Sequence, residues 1–303
     1  MKKIPNTDIA LSPLTLGTMT WGSPVAHKDA VALTRYAVER GINHIDTANM
    51  YEGYDRYAGS AGGVAEVIVG EALKAMDREK VIVATKVGMK VGAAPHDEGT
   101  SPEAIRIQLD RSLKRLDTDY VDLYYLHRYD ENAAPEAILE TLTTLRQAGK
   151  IRYFGISNYT PQQLKNLLAC ADANGFDRPV ICQPPLSLLK DDAAKELLPL
   201  CEKEGIAAVP YQIFQGGLLT GKYRRQDAPP AGSRADQKPG WMMTMDDMLY
   251  DRLEALEEAA RQAGKTLPQY ALSWTLSQPA VISALVGVRT QSQIDDALTM
   301  LDN

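Results

Sequence analysis

Cysteine is scarce in this chain: Cys170, Cys182 and Cys201 are the only three among 303 residues. An odd number at no zinc-like spacing excludes a disulfide framework and reads as core thiols in a reducing compartment. Long apolar runs are missing too. No stretch approaches the about 18 uncharged apolar residues of a membrane span, and Met1-Lys2-Lys3 leads into Ile4-Pro5-Asn6-Thr7-Asp8 rather than an apolar signal core. Positive charge is not in excess: 33 Lys and Arg stand against 39 Asp and Glu, for a net charge of −6. That excludes extensive non-specific binding to a phosphate backbone, which needs clustered positive charge, but leaves room for a small basic pocket. A G-x-G-x-x-G match is absent, so a Rossmann domain is not supported. These absences point to a soluble, cytoplasmic protein with no nucleic-acid or membrane partner, and leave its oligomeric state open. What remains is ordinary globular composition, 45% hydrophobic and 24% charged, at a length that suits one barrel of roughly 250 residues with decorations.

Eight short apolar runs rich in β-branched and aromatic residues read as strands: 14–16, 42–45, 81–84, 121–126, 153–156, 180–182, 206–209 and 281–286. Helical periodicity fills the intervals at 30–40, 64–74, 102–116, 135–147, 161–170 and 192–204. Ser101 before Pro102 and Thr160 before Pro161 are helix starts, with a capping hydroxyl ahead of a first-turn proline. Gly41, Gly149 and Gly205 stand where helices close in the left-handed conformation. Strands separated by helices require parallel crossovers, and eight of them close a (β/α)8 barrel. Residues 2–11 read as a β-hairpin closing its bottom. The longest interval, between the last two strands, holds a Pro- and Gly-rich loop over 226–240 and two helices, 246–263 and 268–276. No linker divides the chain, so residues 1–303 form one domain.

Barrel chemistry gathers at the carboxyl ends of strands. Just past successive strands stand Gly17-Thr18-Met19, Asp46 with Tyr51 five residues on, Thr85-Lys86, His127, Ser157-Asn158, Gln183, Tyr211 and Gly287-Val288-Arg289. Singly, a carboxylate is as often a cap, and a lysine or histidine a surface or core residue. Together on one rim they outweigh that reading. Reducing a carbonyl needs an acid for the developing alkoxide. A tyrosine such as Tyr51 holds its proton at neutral pH, a neighbouring Lys86 ammonium would favour the phenolate and ease its release, Asp46 would keep Lys86 charged and aimed, and His127 would orient the carbonyl.

The ordered motifs Gly41-Ile42-Asn43-His44-Ile45-Asp46-Thr47-Ala48-Asn49-Met50-Tyr51, Ala84-Thr85-Lys86, Asp122-Leu123-Tyr124-Tyr125-Leu126-His127 and Gly155-Ile156-Ser157-Asn158, followed by Gly216–Tyr223 and Gly287-Val288-Arg289, resemble the aldo-keto reductase family across the chain. The branch it resembles is bacterial and is also similar to the potassium-channel β subunits. The resemblance implies NADP(H) held in the barrel mouth, with Asp46, Tyr51, Lys86 and His127 as the catalytic set. It also implies that Ser157, Asn158 and Gln183 grip the nicotinamide carboxamide and that Tyr211 stacks on the ring. Lys222 and Arg234 would cross the pyrophosphate and ribose, while Arg289 and Gln293 would meet the adenosine 2′-phosphate. Thr18, Met19, Asp46, Gln212, Ile213, Phe214, Gln215, Gly287 and Asp296 complete the expected cofactor site. The expected substrate is a carbonyl, alcohol or sugar in a pocket lined by Trp21, Tyr54, His127 and Trp241. The alternative is a cofactor-binding regulatory module of the channel-subunit kind, against which His127 counts.

Three other motifs lead elsewhere. Gly216-x4-Gly221-Lys222 matches most of a P-loop, but Tyr223 stands where a magnesium-binding Ser or Thr is needed. His44 shares a strand face with Asp46, yet too few further ligands follow for a metal, and none is expected. A Schiff base at Lys86 would leave Tyr51 without a role. The sequence also departs from the family pattern. An insertion over 54–63 separates Tyr51 from Glu66, and is expected to wall the substrate pocket. Pro184-Pro185-Leu186 follows Gln183, Gln212–Gln215 replaces the usual Ser-Pro-Leu, and Ala297 stands where an asparagine is usual.

Overall fold

The computed structural model describes residues 1–57 and 59–301. A two-stranded antiparallel hairpin, β1 (Lys2–Lys3) and β2 (Ala10–Leu11), precedes the barrel. The barrel strands are β3 (Leu14–Gly17), β4 (His44–Asp46), β5 (Ile82–Val87), β6 (Val121–Leu126), β7 (Ile151–Ser157), β8 (Ile181–Gln183), β9 (Ala207–Ala208) and β10 (Ala284–Gly287). Each pairs in parallel with its neighbour, and β10 pairs with β3. The ring closes between β9 and β10 through Ala208 N–H to the Ala280 carbonyl (2.8 Å), Ile282 N–H to the Ala208 carbonyl (3.1 Å) and Leu285 N–H to the Pro210 carbonyl (3.0 Å). The (β/α)8 barrel expected from the strand count is the fold observed.

The helices are α1 (His27–Glu39), α2 (Val64–Leu73), α3 (Pro102–Leu116), α4 (Pro135–Gln147), α5 (Pro161–Asn174), α6 (Asp192–Lys195), α7 (Leu197–Lys203), α8 (Arg234–Gln237), α9 (Asp247–Gln262), α10 (Leu267–Leu276) and α11 (Gln291–Thr299). The Ser101 and Thr160 hydroxyls accept from Ala104 and Gln163 N–H as caps, and Gly41, Gly149 and Gly205 all have positive φ. Three details differ from the periodicity reading. The single helix expected over 192–204 breaks at Glu196, because Pro199 has no N–H to offer and its ring would crowd the carbonyl four residues back. The 226–240 loop contains the short α8. And α11 was not expected at all; only Ile294 and Ala297 of its face are buried.

Alternation along the strands sorts the two faces. Val83 and Val87 point into the apolar layer under the helices, and Thr85 lies on the same face, while Ile82, Ala84 and Lys86 point inward. The lower interior is apolar: Ile82, Ala84, Leu123, Tyr125, Ile181, Ala207, Val209 and Ile282 meet Ile4, Ile9 and Leu11 of the hairpin, which plugs the amino-terminal end. The upper interior layer is polar, made of Asp46, Lys86, Ser157 and Gln183. No helix among the described residues is long and apolar enough to cross a membrane.

Candidate active site

The strand register delivers the central cluster. Asp46 ends β4 opposite Ala84, and Lys86 lies two residues further along β5 on the same inward face. Lys86 is fully buried and its Nζ donates to Asp46 Oδ1 (2.5 Å), to the Thr47 carbonyl (2.9 Å) and to the Tyr51 hydroxyl (3.3 Å). Gln183 Nε2 donates to the other Asp46 oxygen at 2.8 Å, and Ser157 Oγ donates to the Gln183 carbonyl at 2.8 Å. Every oxygen of the buried carboxylate is thus satisfied. The His127 ring stands edge-on to Tyr51 with centroids 5.9 Å apart. Asn158, held at a φ of 58°, donates from Nδ2 to the His127 carbonyl and accepts from the Tyr211 hydroxyl at 2.7 Å.

The electrostatics follow from burial and from these contacts. Burial works against the Lys86 ammonium, but the Asp46 carboxylate and the Tyr51 oxygen outweigh it, and its pKa lies above the usual lysine value. Burial lifts the Tyr51 phenol above 10; Lys86 pulls it down and Asp46 pushes it up, with the balance upward. The expectation that Lys86 favours the phenolate holds for that single interaction, and burial overrides it. Tyr51 therefore carries its proton at neutral pH. Burial, aided by the positive charges of Lys86, Arg128 and Arg56, holds His127 well below the ordinary imidazole range, so that ring is neutral. Below the cluster His44, with Nδ1 bonded to Thr15 Oγ1 (2.9 Å) and its pKa near 3 through burial and Lys86, is neutral as well. No metal-like group of His, Cys, Asp and Glu exists among the described residues.

From Tyr51 and His127 a cavity of about 980 Å³ runs across the barrel mouth to α11. Met19, Ser157, Asn158, Gln183, Tyr211, Gln212, Ile213, Phe214, Gln215, Lys222, Arg234, Gly287, Arg289, Gln293 and Asp296 all line it. So do residues outside the expected cofactor set: Gly216, Gly217, Pro230–Ser233, Thr266, Pro268, Gln269 and Thr290, with Ala297 and Thr299 from the unexpected helix and Met300 just past it. Thr290 and Thr266 could have been found, since each precedes a glutamine by three residues and caps its helix. Lys222, Arg234 and Arg289 against Asp296 make the wall cationic in a chain of net negative charge. That donor set fits a dinucleotide's phosphates.

Several expected lining residues lie elsewhere. Trp21 is wholly buried in the core between strands and helices, so it is not a pocket residue. Thr18 is buried, its hydroxyl donating to the Asp46 carbonyl (3.0 Å), and Asp46 itself lies beneath the cavity floor. Tyr54 and Trp241 do not line the cavity; they meet each other edge to face at 5.3 Å behind Arg234 and Arg289. Nor does the 54–63 insertion wall it, with Ala58 outside the described residues. Glu52 folds that segment onto itself, accepting from Gly62 N–H (2.8 Å) and from the Ser60 hydroxyl, while Arg56 donates to the Met50 (2.8 Å) and Lys90 carbonyls. Beyond it, buried Glu66 accepts from Thr85 Oγ1 (2.5 Å) and pairs with Arg115 Nε (2.6 Å), fixing α2 to β5 and α3.

The sequence model of the aldo/keto reductase family matches residues 13–303. This chain belongs to the aldo/keto reductase family. Among similar proteins, Protein tas of Escherichia coli is 35% identical, over 96% of this chain and 90% of its own length. An NADH-specific methylglyoxal reductase of E. coli is 34% identical over 100% and 94%, and an L-glyceraldehyde 3-phosphate reductase of E. coli is 31% identical over 97% and 85%. Family and relatives support an oxidoreductase, and the family is one that uses a nicotinamide cofactor.

Proposed function

We propose that this aldo/keto reductase is an NADP(H)-dependent enzyme that interconverts a carbonyl (aldehyde, ketone or sugar) and its alcohol, with Tyr51 as the proton donor. One observation carries the reading: a buried ammonium, Lys86, bridges the Asp46 carboxylate and the Tyr51 hydroxyl at the floor of a long cationic cavity. The bound cofactor would supply the hydride. Ser157, Asn158 and Gln183 suit its carboxamide, Tyr211 its ring, Lys222 and Arg234 its pyrophosphate, and Arg289 the extra phosphate of NADP(H).

The chain's own residues account for the rest. Tyr51 is protonated at neutral pH and can pass its proton to an oxygen that becomes basic beside it; Lys86 stabilises the phenolate left behind. Neutral His127 offers one ring N–H, which fixes the carbonyl oxygen next to the Tyr51 hydroxyl. Asp46 orients Lys86, and Gln183 and the Thr47 carbonyl hold that pair in place. Because burial lifts the Tyr51 pKa, reduction should persist at alkaline pH and fall only as pH rises above 10.

The test is a panel of aldehydes, ketones, sugars and polyols followed at the nicotinamide absorbance band with both cofactors. Wild type should turn over carbonyls. Tyr51→Phe should lose about 10²–10⁴-fold of that turnover and bind cofactor as wild type does. Residual activity above a tenth of wild type would contradict the proton-donor role. Cofactor binding by wild type with no turnover of any compound would favour the regulatory module.

A further inference from the structure

Tyr54 does no work in the expected substrate pocket, yet it is 5% exposed and heavily committed. Its hydroxyl accepts from Arg289 Nη2 at 2.7 Å and from Arg234 Nε at 3.2 Å. Its ring faces three cations, with Arg289, Lys238 and Arg234 at 5.3, 5.7 and 5.9 Å from the centroid. Among the described residues none of the three forms an ion pair with a carboxylate. Asp236, two residues along from Arg234, is turned to the Gly232 N–H.

Three like charges around one ring repel one another, and an electron-rich phenol relieves that only in part. The donor count points the same way. Arg289 spends both Nη1 hydrogens on the Gly232 carbonyl (2.5 Å) and Gln237 Oε1 (3.0 Å), and one Nη2 hydrogen on Tyr54. Its Nε–H and second Nη2–H remain, as do the Nη groups of Arg234, and both side chains line the cavity. The Tyr54 hydroxyl, used as a double acceptor, has its own proton left to give. Unspent donors of two guanidiniums thus face a cavity that Asp296 alone lines with a carboxylate among the described residues, which suits an anionic ligand.

The backbone makes this arrangement rigid. Tyr54 N–H donates to the Ser23 carbonyl at 2.7 Å, and Gly53 before it has a φ of 70°, where an added Cβ would lie 2.0 Å from that same oxygen. Only glycine fits there, and it aims Tyr54 at the guanidinium pair.

We propose that Tyr54 is a positioning residue for cofactor choice: braced by Arg234, it holds Arg289 preformed for a ribose-borne phosphate, so favouring NADPH over NADH. The proposal rests on the reading above that Arg289 meets that phosphate. NADH brings no ribose-borne phosphate to Arg289 and gains nothing from its alignment.

Dissociation constants of both cofactors, from fluorescence titration of the whole chain, test it without reference to turnover. Tyr54→Phe keeps the ring and removes only the oxygen. We expect about a tenfold loss for NADPH and less than about a twofold change for NADH. Competition by adenosine 2′,5′-bisphosphate should weaken in step, and competition by 5′-ADP should not. Equal loss for both cofactors would make Tyr54 a mere fastener of the loop and would overturn the proposal, as would no loss. Arg289→Ala separates the two readings. If it leaves the cofactor ratio unchanged, the assignment of Arg289 fails and takes the proposal with it. If it collapses the ratio while Tyr54→Phe leaves it at wild type, the assignment stands and Tyr54 is excluded.

Discussion

The two ends of the cavity are built on opposite plans. At the Tyr51 end the charges sit on strands, are buried, and satisfy one another: Lys86 has three acceptors and Asp46 a donor on each oxygen. At the Arg289 end the charges sit on loops and short helices, are cationic but for Asp296, and Arg289 is held by a carbonyl, an amide and an aromatic face. The first end is complete before any ligand arrives, which is what proton transfer needs, because a catalytic dipole that must reorganise has lost its advantage. The second is left in deficit, so that a ligand's anion completes it. Folding stability is invested at one end and binding energy is stored at the other.

The sharpest way to break this contrast is Lys86→Met. Turnover should vanish, since Tyr51 loses the charge that stabilises its phenolate. Asp46 would also be left buried without its cation, which typically costs about 3–5 kcal/mol, read as a lower denaturant midpoint at unchanged slope. A midpoint equal to wild type would mean that the central cluster is not invested in folding at all. A smaller effect concerns pH. His44, with a folded pKa near 3 against about 6.5 unfolded, binds its proton more readily in the unfolded chain. Stability therefore falls as pH drops from 6.5 toward 3, by up to about 1.4 kcal/mol for each pH unit from this group. His44→Asn should flatten that slope over the same window, leaving the part due to His127. An unchanged slope would show that His44 is not held neutral. The smallest effect belongs to the rim: Trp241→Ala removes a half-exposed partner of Tyr54 and should weaken cofactor binding by roughly two- to tenfold with little change in melting temperature. A drop in melting temperature comparable to that of Lys86→Met would erase the distinction between the two ends.

The same division separates what could be read in the sequence from what could not. Asp46, Lys86, Ser157 and Gln183 were legible because strand alternation and the carboxyl-end rule leave few choices for a polar residue closing an apolar run. Pro199 was legible in principle, as helix periodicity carries no term for the carbonyl it crowds. The Thr290 cap of α11 was visible too, but a nine-residue helix with two buried side chains shows almost no apolar stripe. Tyr54, Trp21 and Trp241 lay beyond reach. Each sits on a loop, where nothing local says whether an aromatic ring turns to the cavity, the core or a cation, and the deciding partners are as far along the chain as Arg289. Aromatic residues near a rim read as pocket; the structure uses one as core and two as scaffolding for cations.

The segment between Tyr51 and α2 is fastened like a drawstring bag. Glu52 ties its neck to Gly62 and Ser60, and just outside the neck Glu66 pins the following helix to Thr85 and Arg115. Changes of length inside the tie have no path to Lys86, because the strand that carries it is already anchored on the far side. Loop tips closed in this way are where grafting succeeds. Among the described residues, 55–57 and 59 lie inside the tie, so changes of length or chemistry there should leave the proton donor undisturbed, with Gly53 and Tyr54 retained at the entry and Ser60 and Gly62 at the neck.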